Sequence, residues 1–417
     1  MFPFLAKYAL GFAIFTIVLE IIIGVLLILG HRTKFTSWLF LGIMAFFTAL
    51  TGYTHFTGYV PDGVNFFAFS KWGEYVATNM KVTDCGCFGD FLKLSPTTSF
   101  YKDIALMPVA VFFVWHYRRF TQLFKMRIRA TLGWLTVAAS IVFCFYNAFW
   151  NEPIVDFRPF KNGVNIREQK KAEEKARADV KILTWKLKNQ KTGELVTLSN
   201  DDYMGKKMYE KYSTDAGWKV FDQIKTIPSV STTKISDFSI ETLAGDDFTD
   251  SLLTEKNYTF LVVSGKMKST MSKQIIAIPD SVFRTDTLRK KVGGRDTFTL
   301  TKVFERVGKR EEVFKSFSFD ADYRAAFSQK INPIMEAAEK SGYKIAALVP
   351  FDDLKKIEDF RHDAQTAYPF FKADEKLIKT IMRSNPGLVL LHDGQIVHKW
   401  HLNKLPNFEE IKTEYLK

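Results

Sequence analysis

The run Ala9-Leu-Gly-Phe-Ala-Ile-Phe-Thr-Ile-Val-Leu-Glu-Ile-Ile-Ile-Gly-Val-Leu-Leu-Ile-Leu-Gly30 carries a single charge, Glu20. At a rise of roughly 1.5 Å per residue it is long enough to cross a hydrocarbon core of roughly 30 Å. It is too long for the apolar core of a signal peptide, and no small-residue cleavage site precedes the basic turn His31-Arg-Thr-Lys34, so it reads as a spanning helix. Working outward, Trp38–Thr57 predicts a second span, Ile104–Tyr117 a shorter third with Pro108 inside it, and Thr131–Trp150 a fourth. Beyond residue 160 the pattern changes to Lys, Glu and Asp alternating with short apolar runs. The mean hydropathy of the whole chain is therefore close to zero, although its two halves are unlike. A chain of 417 residues has room for a second folded unit beside the membrane part.

The formal net charge is +13. Part of that excess flanks the apolar helices, and the chain carries no DNA- or RNA-binding motif, so no nucleic-acid partner is expected. Basic residues choose the sides of the membrane. Arg32 and Lys34 fall between spans one and two, and Arg118, Arg119, Lys125, Arg127 and Arg129 between spans three and four, which assigns both short loops to the cytoplasm. The 58–103 segment has no Arg and is predicted outside, as is everything after Trp150. The chain thus reads as a multi-pass protein of the inner (cytoplasmic) membrane with its C-terminal domain in the periplasm. Glu20 is costly in hydrocarbon and by default points into the bundle or a polar cavity. It is either a proton or quinone-headgroup contact or a hydrogen-bonded carboxyl that fixes helix packing.

The densest chemistry is Asp84-Cys-Gly-Cys-Phe-Gly-Asp90, at the end of the outward loop. Cys85 and Cys87, with Gly86 between them, close only into a small ring whose disulfide departs from relaxed geometry and is easily reduced. One reading has the pair exchanging electrons between a partner protein and a membrane quinone. A second makes them metal ligands, but a closed tetrahedral site needs four and His55 is the only nearby outward histidine. A third is structural, with Gly86, Gly89, Asp84 and Asp90 shaping the loop. The two acids also oppose a highly reactive thiolate. Cys144, inside span four, reads as a packed thiol, and no cysteine follows it.

Leu19-Glu-Ile-Ile-Ile-Gly24, Phe46-Phe-Thr-Ala-Leu-Thr-Gly-Tyr53, the Asp84–Asp90 element and Pro153-Ile-Val-Asp-Phe-Arg-Pro-Phe160 together give a resemblance. The chain resembles the DoxX/MauE-like membrane proteins of Bacteroidota, in which a helical membrane domain is fused to an outward thioredoxin-like domain. The resemblance implies redox traffic through quinones or disulfides. It also implies a further helix ahead of the first span, bearing a Ser-Gly-Phe-x-Lys type motif that this sequence does not show. Such a helix, missing from the chain or supplied by a partner, would account for an N-terminus predicted outside without a signal sequence. Gly58–Val82, with Phe66, Phe67, Phe69, Trp72 and Tyr75, reads as an aromatic insertion at the membrane interface.

After the last span, Val164–Val180 reads as an exposed helix or semi-rigid spacer, and Lys181–Lys188 with Leu195–Ser199 as a hairpin. From Asp237 onward the predicted order is a short extended segment, a strand at Tyr258–Ser264, a helix at Tyr323–Ser341, a strand at Lys344–Val349 and a helix at Asp352–Gln365. A helix at Leu377–Arg383 and a hairpin of Gly387–Leu391 and Gln395–Trp400 complete it. This order matches a thioredoxin-like α/β domain, and Asn385-Pro386 stands where that fold places a cis-proline. A dithiol thioredoxin needs Cys-x-x-Cys at the helix start after its second strand. Here Gly265-Lys-Met-Lys-Ser-Thr-Met271 stands there instead, opening an insertion over about 266–317 that reads as a partner-docking β element or a decorated surface loop.

The expected fold class is a multi-domain membrane protein: an N-terminal α-helical transmembrane bundle of about four helices over 1–152, a juxtamembrane connector over 153–233, and a thioredoxin-like domain over 234–417. The expected function is a membrane-anchored accessory or assembly subunit that binds protein through a redox-inactive domain. The alternative is a component of a quinone- or disulfide-linked oxidoreductase that uses Cys85, Cys87 and Glu20. Lipid and a protein partner are the expected contacts, and a membrane quinone is the candidate cofactor.

Overall fold

The computed structural model describes residues 8–80, 82, 85, 86, 89, 91–292 and 295–416. Its contacts divide the chain into two compact units, Met1–Asp237 and Phe238–Lys417.

The first unit begins with four long helices: α1 (Ala9–Leu29), α2 (Thr33–Phe56), α3 (Pro96–His116) and α4 (Met126–Phe145, prolonged by a wide turn to Trp150). All four are long and apolar enough to cross a membrane. A Schellman closure ends α1: Gly30 N–H donates to Leu27 O (3.2 Å) and His31 N–H to Leu26 O (3.0 Å), with Gly30 at φ 62°. Any side chain at Gly30 would also set its Cβ 2.5 Å from the Thr121 carbonyl oxygen, so the position needs glycine twice over.

The third span is not the short one predicted. Ser95 caps it, its hydroxyl accepting from Thr98 N–H at 3.1 Å, and Pro96 fills the first turn, where a missing N–H costs nothing. The helix therefore starts well before Ile104 and carries Lys102 and Asp103 within it. Likewise α4 starts at Met126 rather than Thr131, because the basic stretch Arg127–Arg129 is already helical.

Next comes α5 (Ile166–Ala178), capped by Asn165. The expected helix is there and exposed over most of its surface, with one stripe, Ile166, Glu173 and Ala176, buried. The Glu173 carboxylate accepts from Thr233 N–H (2.9 Å), Thr233 Oγ1 (2.7 Å) and Gln169 Nε2 (3.0 Å). Burial pushes this carboxyl up, but the bonds from Thr233 and Gln169 outweigh it and hold it below the ordinary glutamate range. A depressed folded value means stabilisation that is complete above the unfolded glutamate pKa and lost as pH falls through the folded one. Glu173→Gln is therefore expected to lower the thermal midpoint of the full chain in detergent at neutral pH and to flatten its decline into the acid range. Parallel pH profiles for the variant and the wild type would exclude this role.

Strands β1 (Ile182–Asn189), β2 (Leu195–Ser199) and β3 (Trp218–Lys225) form an antiparallel sheet in the order β2-β1-β3. The predicted hairpin is there, with Lys188 opposite Leu195. Its third strand was not foreseen, because Lys219, Asp222, Gln223 and Lys225 hide the alternation. Leu187, Tyr203 and Trp218 make a small core behind the sheet.

The second unit runs β4 (Glu241–Thr242), α6 (Thr249–Leu253), β5 (Thr259–Val263), β6 (Ser269–Val292), β7 (Arg295–Phe319), α7 (Ala321–Ala325), α8 (Asn332–Lys340), β8 (Lys344–Pro350), α9 (Leu354–Asp363), β9 (Phe370–Ala373), α10 (Glu375–Ile381), β10 (Gly387–His392), β11 (Gln395–His401) and α11 (Phe408–Tyr415). Six strands form one sheet in the order β11-β10-β5-β8-β9-β4. Strands β5, β8 and β9 are parallel, and β10 pairs antiparallel with both β5 and β11. Every residue of β5 is buried, as a central strand covered on both faces requires. Phe260, Val262, Phe327, Met335, Phe360 and Leu390 belong to its core. Neither β9 nor α11 was anticipated, although Asn407 and Glu410 form a capping box that announces α11.

The 266–317 insertion is a two-stranded ribbon, paired from Ser269↔Phe319 to Val292↔Arg295 with one irregularity beside Phe283. At roughly 3.3 Å per residue its strands reach on the order of 80 Å.

Candidate functional site

Of the predicted cysteine element, Cys85, Gly86 and Gly89 can be described, whereas Asp84, Cys87 and Asp90 lie outside the described residues. Cys85 is half-buried and held by its backbone, its N–H donating to Leu94 O at 2.7 Å in an isolated antiparallel bridge. Gly89 N–H closes a turn onto Gly86 O at 3.0 Å with φ 55°, a left-handed conformation that favours glycine. Phe91 follows, and its ring meets Phe157 edge-on at 4.9 Å. The loop thus packs against the Pro153–Phe160 segment that follows the last span.

That segment is built around Arg158, which is 6% exposed. Its guanidinium grips Asp156 through Nε (2.8 Å to Oδ1) and Nη2 (2.8 Å to Oδ2) and also bonds Glu152, a planar fork matched to carboxylates. Burial opposes the cation, but the bonds to Asp156 and Glu152 prevail and push its pKa above the ordinary arginine value.

Glu20 lies on an exposed face of α1, within electrostatic reach of Lys102 of α3. The buried acid is Asp103 of α3, 2% exposed, which accepts from Thr51 Oγ1 at 2.9 Å and pairs with Lys102 Nζ at 3.1 Å. Beside it, His55 is stacked on Phe100 and reaches Thr97 Oγ1 at 3.1 Å, while the Tyr75 hydroxyl meets the same oxygen at 2.8 Å. Tyr59 and Tyr75 from the aromatic insertion close over the His55 ring. Reading the third span from Ile104 left Asp103 just outside it, so this cluster was missed. The Ser95-Pro96 start signal would have found it. An apolar groove of about 470 Å³ along α2 and α3, lined by Ala45, Thr48, Gly52, Phe56, Phe100 and Met107 among others, passes beside the cluster.

In the second unit the Asn385–Pro386 peptide is cis. Asn385 works as a staple: its Oδ1 accepts from Lys266 N–H (3.0 Å) and Ser264 Oγ (2.9 Å), and its Nδ2 donates to Lys266 O (2.8 Å). The loop before β10 is thereby tied to the end of β5. Among the described residues no group of three or more His, Cys, Asp or Glu side chains is arranged to hold a metal.

Spanning-length apolar helices followed by a sheet-rich C-terminal region define a multi-pass membrane protein. Residues 1–62, which contain α1 and α2, match the family model for the methylamine utilisation protein MauE. The start of this chain is therefore similar to MauE. No curated protein and no solved structure matches it.

Proposed function

We propose that the protein is a membrane-anchored accessory or assembly subunit that presents a thioredoxin-like domain without a dithiol to a protein partner, and that the β6–β7 ribbon is its docking element. The observation that carries this reading is the apolar face of the ribbon. Ile275, Phe283, Leu300, Phe304, Val307 and Val313 are each more than half exposed. The register puts Ile275 opposite Val313, Ser281 opposite Val307, Phe283 opposite Phe304 and Thr287 opposite Leu300, so all six share one side. A two-stranded ribbon has no second layer of its own to cover such a face, and an open two-stranded edge is the kind of surface to which a partner strand can add.

The rest agrees with binding rather than dithiol exchange. Parallel β5 and β8, with a cis-proline leading into the β10–β11 hairpin, is the arrangement of thioredoxin-like domains. Yet Cys144 is the last cysteine, and the Asn385 staple closes the loop pair against which such domains hold a substrate. The MauE-like start suits an accessory role. The basic residues of the loops after α1 and α3 favour a cytoplasmic position for both, hence a periplasmic C-terminal region.

The test is to replace Gln274–Val313 by a short Gly-Ser turn in the full-length protein and to purify both forms from native membranes in mild detergent. The wild type is expected to migrate as a stoichiometric complex and the shortened form alone, while Cys85→Ser keeps the complex. A complex that survives the excision but is lost with Cys85→Ser would overturn docking in favour of the disulfide-linked alternative.

A further inference from the structure

The strongest unexplained feature is the basic end of the helix bundle, where the α1–α2 and α3–α4 connections touch. Leu123 N–H donates to Leu29 O (3.2 Å), and Arg129 Nη1 donates to Gly30 O (2.7 Å). A cavity of about 660 Å³ opens there, lined by His31, Arg32, Lys34, Trp38, Gln122 and Arg129 among others. It shares His31, Arg32, Phe35 and Met126 with a second, about 380 Å³ cavity that runs between the helices past Ile22, Leu26, Gly133 and Val137. The head of the space is cationic and its tail is apolar.

Among the described residues, no carboxylate lines the head. The sequence has no Asp or Glu between Glu20 and Asp62, or between Asp103 and Glu152. Arg129 is 6% exposed. It spends Nη1 on Gly30 and Nη2 on Gln122 Oε1 (2.9 Å), which leaves its buried Nε without a partner. A buried guanidinium N–H left unmade is costly, and such groups normally mark a ligand or water. The start of α2 faces the same space. Arg32 sits at φ 44°, no side chain caps the helix, and the first backbone bond is Thr36 N–H to Arg32 O, so the Thr33, Lys34 and Phe35 amides have no acceptor within the helix.

We infer that this end of the bundle is a specific site for an anionic phospholipid, with its phosphate among the α2 amides, Arg32, Lys34 and Arg129 and an acyl chain along the groove between α1, α2 and α4. A phosphate supplies the acceptors that the orphaned donors lack, and only a lipid also fills the apolar tail. Lipid is on hand at the end of a membrane-spanning bundle. A free phosphate ion would leave the groove empty.

The full-length protein, delipidated in detergent, is titrated with phosphatidylglycerol, phosphatidylcholine or inorganic phosphate, followed by thermal midpoint and native mass spectrometry. Phosphatidylglycerol is expected to raise the midpoint and persist as a one-to-one adduct, with the other two giving no shift. Arg129 also ties two loops together, so the decisive variant is the exposed pair Arg32→Gln/Lys34→Gln, expected to weaken binding roughly thirtyfold for two basic contacts while leaving the lipid-free midpoint unchanged. An equal shift with phosphatidylcholine would remove the charged head from the proposal. An equal shift with inorganic phosphate would make the occupant a free ion and overturn the lipid, as would undiminished binding by the double variant.

Discussion

Arg158→Met is expected to cost about 3–5 kcal/mol of stability, because it strips the cation from two acids that have little water to turn to. The side chains of Glu152 and Asp156 are only 12% and 15% exposed. Their negative charges stay behind when the guanidinium goes, so the penalty includes the loss of its countercharge as well as of the hydrogen bonds. Arg158→Lys is expected to fall between, since an ammonium restores charge but cannot span both carboxylates in one plane. The triple variant Arg158→Met/Glu152→Gln/Asp156→Asn should recover most of the loss. Thermal unfolding of the full chain in detergent reads all three. A second readout follows from the Phe91–Phe157 contact: loosening the 153–160 segment should speed alkylation of Cys85. If the single variant unfolds within about 1 kcal/mol of wild type, a range ordinary for a surface substitution, Arg158 is not what holds this segment.

The membrane part was legible where hydropathy alone settles an element, as in α1. It was misread where charge interrupts the apolar run. Lys102 and Asp103 made the third span look short, and Asp103, with Thr51 and His55, belongs to the buried polar cluster. Chemistry pointed to Cys85 and Glu20, but which acid the bundle encloses depends on helix rotation, and one sequence does not reveal that. The Arg158 ion cluster was nearer to hand, since Glu152, Asp156 and Arg158 lie within seven residues of one another. In the second unit the order of the main strands and helices followed from their apolar runs. β9 was too short to announce itself. The ribbon showed only as the fragments Gln274–Ile278 and Thr297–Phe304, because charged residues fill much of both strands and hide a period of two.

Phe360→Ala should be the costliest core substitution in the second unit, at roughly 3–5 kcal/mol for a deleted buried ring. Phe360 has no solvent exposure, and its ring lies 4.8 Å from Phe327, 5.0 Å from Phe319 and 5.2 Å from Tyr323. The identity of these neighbours makes the effect more than a loss of packing. Phe319 ends β7, and α9, which carries Phe360, grips the same strand through Lys315–Asp353 (2.8 Å) and Phe317 N–H to Asp359 (3.2 Å). Tyr323 hydrogen-bonds Ser264 at 2.6 Å, and Ser264 in turn bonds Asn385. One aromatic ring therefore backs both the root of the ribbon and the stapled loop before β10. Its removal should raise amide hydrogen exchange first at Lys315–Asp320 and Ser264–Lys266, ahead of the β10–β11 hairpin, while Phe360→Leu, which leaves a smaller void, should show a fraction of the change in the same order. Uniform acceleration across the unit would mean that the ribbon is hinged independently of the core. Protection that falls first at the root would mean that the ribbon is held at a fixed angle by the core, so a partner that gripped it would meet an oriented surface whose ordering cost is already met in the free protein.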